Sequence, residues 1–205
     1  MKIETAEFNL SATLESGQVF GFTHTSEGRY RGILSGGEVE LWEDSGSLFA
    51  RSFNGGISKE TLEDYFDLGR DLAPIYRILE SDANLRKLPV ELRGLRIIRQ
   101  DPWEALASFI ISSNNNIKRI QLIWKNLLQF FSKTHLHFPK PSEFAATDES
   151  QLRQLGLGYR APFLLSTAKR IARSPHFLSQ VSESDYESAK GKLMELDGVG
   201  RKVAD

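Results

Sequence analysis

The stretch Leu196-Asp197-Gly198-Val199-Gly200-Arg201-Lys202-Val203-Ala204-Asp205 carries the residues best suited to chemistry. Two glycines let a backbone approach an anion closely, and a helix opening just after them aims free N–H groups at it. Lys202, one residue inside that helix, supplies an amine that could attack a sugar carbon beside a bound phosphate. The positive end of the helix and the neighbouring Arg201 both disfavour its ammonium form, which favours the neutral amine a nucleophile needs. Local sequence leaves two other readings open. Gly198 also suits an ordinary helix C-cap followed by a turn, and Lys202 also suits a phosphate-neutralising cation. Val199 is expected to plug the groove between the two helices. A carboxylate at Asp197 would repel a phosphate unless it points away and caps the helix of Lys202.

The elements that must hold this segment fall into two kinds. Residues 1 to about 53 favour strands: Ile3, Phe8, Leu10 and Leu14 lie among polar residues, and Gly17-Gln18-Val19-Phe20-Gly21-Phe22 alternates. Tyr30–Leu34 and Val39–Glu43 flank Ser35-Gly36-Gly37, a hairpin signal, and Leu48–Phe53 reads as a further strand ended by Asn54-Gly55-Gly56. From Ser58 onward the period is helical. Asp101-Pro102-Trp103-Glu104 offers an N-cap acid, a proline at the first helical position and a capping-box glutamate. Trp103, Leu106 and Ile110 follow at helical spacing. Ile117, Ile120, Trp124, Leu127 and Phe131 mark one further helix, and Leu164, Ala168 and Ile171 another. Ser184-Asp185-Tyr186-Glu187 caps a helix with Tyr186, Ala189, Leu193 and Leu196 on one face.

Composition narrows the classes. Of 205 residues 40% are hydrophobic and 26% charged, as in an ordinary globular protein. No apolar window reaches the length of a membrane span, and Met1-Lys2-Ile3-Glu4-Thr5 lacks a secretory core, so an intracellular protein is expected. With no cysteine, disulfides, zinc–thiolate sites and iron–sulfur clusters are excluded from this stretch, and no metal or cofactor is expected. The net charge of −1 is not the footprint of a nucleic-acid binder. Its distribution is more permissive: Arg86, Lys87, Arg93, Arg96 and Arg99 face only Glu91, and Lys118, Arg119, Lys125 and Lys133 run without an acid, while acids gather in 38–67. Such stripes are also ordinary solvated faces.

Four segments in order resemble the 8-oxoguanine DNA glycosylase branch of the helix-hairpin-helix glycosylase family. Ser16-Gly17-Gln18-Val19-Phe20 is similar to its N-terminal substrate-contact strand. Gln100–Glu104 leading into Phe109-Ile110-Ile111-Ser112-Ser113-Asn114-Asn115-Asn116-Ile117-Lys118-Arg119-Ile120 is similar to its helix–Asn-rich-turn–helix segment. Leu155-Gly156-Leu157-Gly158-Tyr159-Arg160-Ala161 is similar to its DNA-wedging loop, and the Gly198–Gly200 hairpin follows. The resemblance covers nearly all of the chain. It implies an α+β protein: an N-terminal antiparallel β-sheet domain with trailing helices (1–95), followed by an all-α helix-hairpin-helix glycosylase domain (96–205), truncated at its C-terminal side.

It also implies roles. Lys202 would form an imine with the sugar and expel the base, after which elimination cleaves the strand. Gly17 would read the damaged base, because oxidised guanine carries an imidazole hydrogen that a fixed carbonyl can accept. An enzyme acting on a base must extrude it from the stack and fill the hole. Tyr159 would be the wedge, and Asn114, Arg119 and Arg160 would contact the estranged cytosine. Gly198, Gly200 and Val203 would offer N–H groups to a phosphate. The bland readings are an Asn-rich turn that only caps the next helix, a surface arginine pair, a core tyrosine and a strand glycine marking a bulge. Asp197 replaces the family's usual proline. The catalytic aspartate, a cysteine beside the base pocket and a closing helix are expected beyond Asp205, so little turnover is expected of the 205-residue chain. The partner implied is duplex DNA containing oxidised guanine, bound by a monomer without a membrane. The alternative from another class is a non-catalytic helix-hairpin-helix DNA-binding module.

Overall fold

The computed structural model describes residues 1–53, 56–132 and 136–205. Asn54 and Gly55 of the expected strand stop, and Lys133 of the second basic run, lie outside the described residues. Contacts divide the chain into two units, Met1–Gln100 and Asp101–Asp205. No described helix is long and apolar enough to cross a membrane.

The first unit is built on a five-stranded antiparallel sheet: β1 (Lys2–Glu4), β2 (Thr23–His24), β3 (Tyr30–Leu34), β4 (Gly37–Asp44) and β5 (Ser47–Ser52), in the order β1-β5-β4-β3-β2. Two-residue loops join its long strands, with Leu34 opposite Gly37 and Asp44 opposite Ser47. Both loops are Ser-Gly, with positive φ at Ser35, Gly36, Ser45 and Gly46. That is the left-handed geometry whose twist matches antiparallel strands. Val39, Leu41 and Leu48 are wholly buried with Leu62 and Phe66, which lie on and just after α2 (Lys59–Tyr65). The Ser58 hydroxyl accepts from the Thr61 N–H and caps that helix.

Two expectations for this unit fail. Leu10–Leu14 is a short helix, α1, because the Asn9 side chain accepts from the Ala12 N–H at 2.8 Å and turns the chain. Gly17–Phe22 joins no sheet. Val19, Phe20 and Phe22 are all buried, so its apolar residues anchor an irregular loop instead of alternating between two faces. Gln18 replaces a strand ladder there: its side chain donates to the Thr13 and Arg96 carbonyls and accepts from the Ile98 N–H at 2.9 Å. The unit ends with α3 (Ala73–Ser81) and α4 (Leu88–Glu91). The basic run 86–99 is largely consumed internally. Arg93 pairs with Glu7, Arg99 with Asp64 and Asp67, and buried Arg96 donates to the carbonyls of Glu7, Asp67 and Arg70.

The second unit is helical: α5 (Pro102–Ser112), α6 (Ile117–Phe131), α7 (Pro141–Ala145), α8 (Glu149–Leu152), α9 (Ala161–Arg173), α10 (Phe177–Ser182), α11 (Tyr186–Met194) and α12 (Arg201–Ala204), with Arg153–Arg160 wound into irregular turns. Its core gathers Ile110, Ile111, Ile123, Trp124, Phe144 and Leu164, and the Trp124 indole donates to the Ser108 hydroxyl. Asp101 caps α5 by accepting from the Glu104 N–H at 2.9 Å. Glu104 does not complete a capping box. Its carboxyl is buried, and that burial, aided by the Asp101 carboxylate, pushes it up to about 8. Ile117 is exposed, since it opens α6 directly after the exposed Asn turn, and Ile123 takes an inward place. Tyr186 is exposed as well, because its hydroxyl is used to donate to Asp205, and the cap of α11 is Asp185.

Candidate active site and nucleic-acid interface

The hairpin between α11 and α12 separates its two glycines by job. Gly198 has φ +82°, and a Cβ there would lie 2.7 Å from the Phe163 Cβ, so the protein's own packing requires glycine. Gly200 has φ −90° and open space where a Cβ would go. Nothing internal demands glycine at 200, and a side chain there would project only into whatever approaches the hairpin. Val199 is buried, as a plug between the helices should be. Asp197 turns away from α12: its carboxylate accepts from the Ser166 hydroxyl and its carbonyl from Thr167, both on α9. It does not cap α12, whose N-cap is Gly200. The like-charge conflict is removed by orientation, not by capping.

In α12 the Val203 N–H already donates to the Gly200 carbonyl at 3.0 Å. The donors without an intrahelical acceptor are therefore those of Arg201 and Lys202, as the geometry of a first turn dictates. Lys202 is exposed, and among the described residues no carboxylate pairs with it. It borders an apolar cavity of about 250 Å³, with Leu106 and Phe109 of α5 and Leu193 of α11 on the walls. Asp205 is engaged elsewhere, with Lys190 and the Tyr186 hydroxyl, and these bonds hold its carboxyl below the usual range. Among the described residues no group of three or more His, Asp or Glu could hold a metal ion.

A second cluster forms where α5 meets α6. Its three consecutive asparagines divide the work. Asn115 donates to the Ile111 carbonyl and closes α5, while Asn116 accepts from the Arg119 N–H at 3.0 Å and caps α6. Asn114 sits at φ +48° and is exposed. The capping explanation therefore accounts for Asn115 and Asn116 and leaves the exposed Asn114 side chain without a hydrogen bond among the described residues. Arg119 is exposed one turn into α6.

Tyr159 and Arg160 reach the same turn from the irregular loop before α9. Arg160 is buried, with Nε donating to the Ser113 carbonyl at 2.7 Å, Nη2 to the Asn114 carbonyl at 2.8 Å and Nη1 to Leu157 at 3.5 Å. The Tyr159 hydroxyl donates to the same Ser113 carbonyl, and the Arg160 guanidinium lies 4.4 Å from its ring centroid. Tyr159 keeps 49% of its surface exposed. The bland readings are a surface arginine pair and a core tyrosine; Arg119 is at the surface, but Arg160 is buried and Tyr159 is exposed.

The sequence did not single out Phe163. It stands four residues after Tyr159, with ring centroids 6.5 Å apart and planes nearly perpendicular, and its Cβ abuts Gly198. Aromatic residues at this spacing were the available signal. In the first unit, Gly17 has φ +87° with nothing near a Cβ, and its loop is pinned when the Gln18 carbonyl accepts from the Gln100 amide at 2.6 Å.

An antiparallel sheet unit joined to a helical unit with a Gly-x-Gly hairpin and an exposed lysine defines the helix-hairpin-helix class of base-excision proteins. A family model described as "8-oxoguanine DNA glycosylase, N-terminal domain" matches residues 1–106, and one described as "HhH-GPD superfamily base excision DNA repair protein" matches 107–204. The chain belongs to the 8-oxoguanine DNA glycosylase branch of that superfamily. It is 30% identical to the "Probable N-glycosylase/DNA lyase" of Methanothermobacter thermautotrophicus over 100% of this chain and 76% of that protein. It is 34% identical to the "N-glycosylase/DNA lyase" of Saccharomyces cerevisiae over 72% of this chain, and the match spans only 44% of the yeast protein. Its fold matches the Clostridium acetobutylicum 8-oxoguanine glycosylase/lyase, solved with dsDNA containing cytosine opposite 8-oxoG, with a TM-score of 0.88 at 29% identity, over 100% of this chain and 76% of that one.

Proposed function

We propose that the protein carrying this chain removes 8-oxoguanine from duplex DNA and cleaves the resulting abasic strand through Lys202. The observation that carries this reading is the exposed lysine at the start of α12, without a carboxylate partner among the described residues, behind an open Gly200, in a chain of this family. In the proposed reaction the Lys202 amine attacks C1′ of the extruded nucleotide. A C–N bond to the lysine forms as the bond to the base breaks, and the base leaves with a proton. The C1′–O4′ bond then breaks and the remaining proton on the lysine nitrogen passes to O4′, opening the sugar to the imine. This makes the C2′ proton acidic, and its loss expels the 3′ phosphate.

The other residues divide the recognition. The Gly17 carbonyl accepts the imidazole hydrogen that only the oxidised base carries. Gly198, Gly200 and the first N–H groups of α12 receive a backbone phosphate, with Val203 joining only as its bond to Gly200 loosens. Tyr159 fills the space left by the base. Asn114 and Arg119 meet the estranged cytosine, and Arg160 adds the two N–H donors its carbonyl bonds leave over. The partner is duplex DNA containing oxidised guanine, bound by a monomer inside the cell.

Borohydride trapping of the full-length protein on duplex with 8-oxoguanine opposite cytosine tests this. A covalent adduct that disappears in Lys202→Ala is expected. No adduct together with equal affinity for intact and damaged duplex would mark a non-catalytic binding module instead.

A further inference from the structure

We infer that Phe163 is a positioning residue that ties recognition of the opposite base to placement of the Lys202 hairpin. The inference rests on the function proposed above and goes beyond it, because Phe163 has no part in those contacts. Two loops must act on one nucleotide pair, and this ring lies beside both, next to the bonds from Ser166 and Thr167 to Asp197. On one side, Asn114 and Ser113 are held by Arg160 and Tyr159. Tyr159 meets the Phe163 ring edge to face. On the other side Phe163 lies against Gly198, so closely that any Cβ at 198 would collide with its Cβ and Cγ. Gly198 begins the turn that delivers Gly200 and Lys202.

The contact is tight on the hairpin side and adjustable on the wedge side. Phe163 is itself partly exposed, at 38%, so the ring is not locked in a core. A tyrosine displaced by insertion between bases presses on this ring, and a shift of Phe163 toward Gly198, where there is not even room for a Cβ, displaces the hairpin. A correct opposite base, held by Asn114, thereby settles the wedge and the hairpin together. Coupling of this kind has to be demonstrated energetically, and a double-mutant cycle does so.

The experiment measures single-turnover trapping by the full-length protein with 8-oxoguanine opposite cytosine or adenine, using wild type, Phe163→Ala, Phe163→Tyr, Asn114→Ala and the Phe163→Ala/Asn114→Ala double variant. Phe163→Ala is expected to slow trapping opposite cytosine by about tenfold and to bring the cytosine-to-adenine ratio toward one. Phe163→Tyr, which keeps both contacts, restores the ratio. Asn114→Ala is expected to add less than about twofold in the Phe163→Ala background. An unchanged base ratio in Phe163→Ala, or effects of the two changes that multiply, would overturn the inference. Phe163→Leu keeps the Gly198 contact without a ring edge for Tyr159, so it gives the same narrowing if the alanine variant melts early. A wild type that forms no adduct defeats the proposed function. In that case the affinity ratio for a reduced abasic analogue opposite cytosine or adenine, measured in the same variants, decides the coupling separately.

Discussion

The asparagine turn at 114–116 and the glycine hairpin at 198–200 solve the same problem in different residue types. In each, a conspicuous repeat looks uniform in sequence and is divided in structure. Asn115 and Asn116 bond to helix ends, and Gly198 accommodates Phe163. Asn114 and Gly200 have no such internal employment: one is exposed in a left-handed conformation, the other faces open space. Among the described residues, the members with internal partners build the loop, and those without them are the ones we propose meet the DNA.

The largest effect expected concerns the helix that delivers the asparagine turn. Glu104 titrates near 8 in the folded protein against 4.5 when unperturbed, because burial disfavours its carboxylate. The folded state therefore binds the extra proton between those values, and stability falls as pH rises from about 4.5 to about 8. Glu104→Gln is expected to flatten that fall and to stabilise the protein at pH 8 by on the order of 3 kcal/mol, read by urea unfolding at several pH values. A pH slope identical in the variant would remove Glu104 from the account.

On the hairpin side, Gly198→Ala forces a Cβ into both a left-handed φ and the Phe163 contact. It is expected to cost about 2–3 kcal/mol in thermal unfolding. Gly200→Ala is the contrasting change. Its φ suits alanine, so stability should drop by less than about 1 kcal/mol, chiefly from the poorer N-cap. Duplex binding by fluorescence anisotropy should nevertheless weaken by about tenfold, the order of one lost charge-assisted hydrogen bond. Equal stability losses at 198 and 200 would break the comparison.

The asparagines sharpen it further. Asn114→Gly keeps the left-handed backbone and removes only the side chain. Stability should stay within about 0.5 kcal/mol, while preference for cytosine over adenine opposite the lesion falls about tenfold. The smallest functional effect belongs to Asn116→Ala, which removes the cap of α6 at a cost of about 1 kcal/mol and leaves base preference unchanged.

Much of this was legible in the sequence, and the failures share a cause. The Ser-Gly pair at 35–36, the caps at Ser58 and Asp101 and the helical periods of α6 and α9 are local signals, and the corresponding elements form. The helix at Leu10–Leu14 is too short to show a period, and only the Asn9 cap announces it. Gly17–Phe22 mimics a strand by alternation, yet its backbone is satisfied by Gln18 and its apolar residues all turn inward, which requires partners some 80 residues away. The burial of Arg160 is of the same kind, since its acceptors are carbonyls 46 and 47 residues earlier. Spacing revealed the lysine after a Gly-x-Gly; it could not reveal that Phe163 sits between that hairpin and the wedge loop.

The central claim is that the Lys202 amine meets the sugar. Its most direct test is to digest the borohydride-reduced protein–DNA adduct and identify by mass spectrometry which residue carries the deoxyribose. The account expects the reduced sugar on the peptide containing Lys202. A sugar carried by Lys190, Lys192 or the N-terminal amine, with Lys202 unmodified, would contradict it.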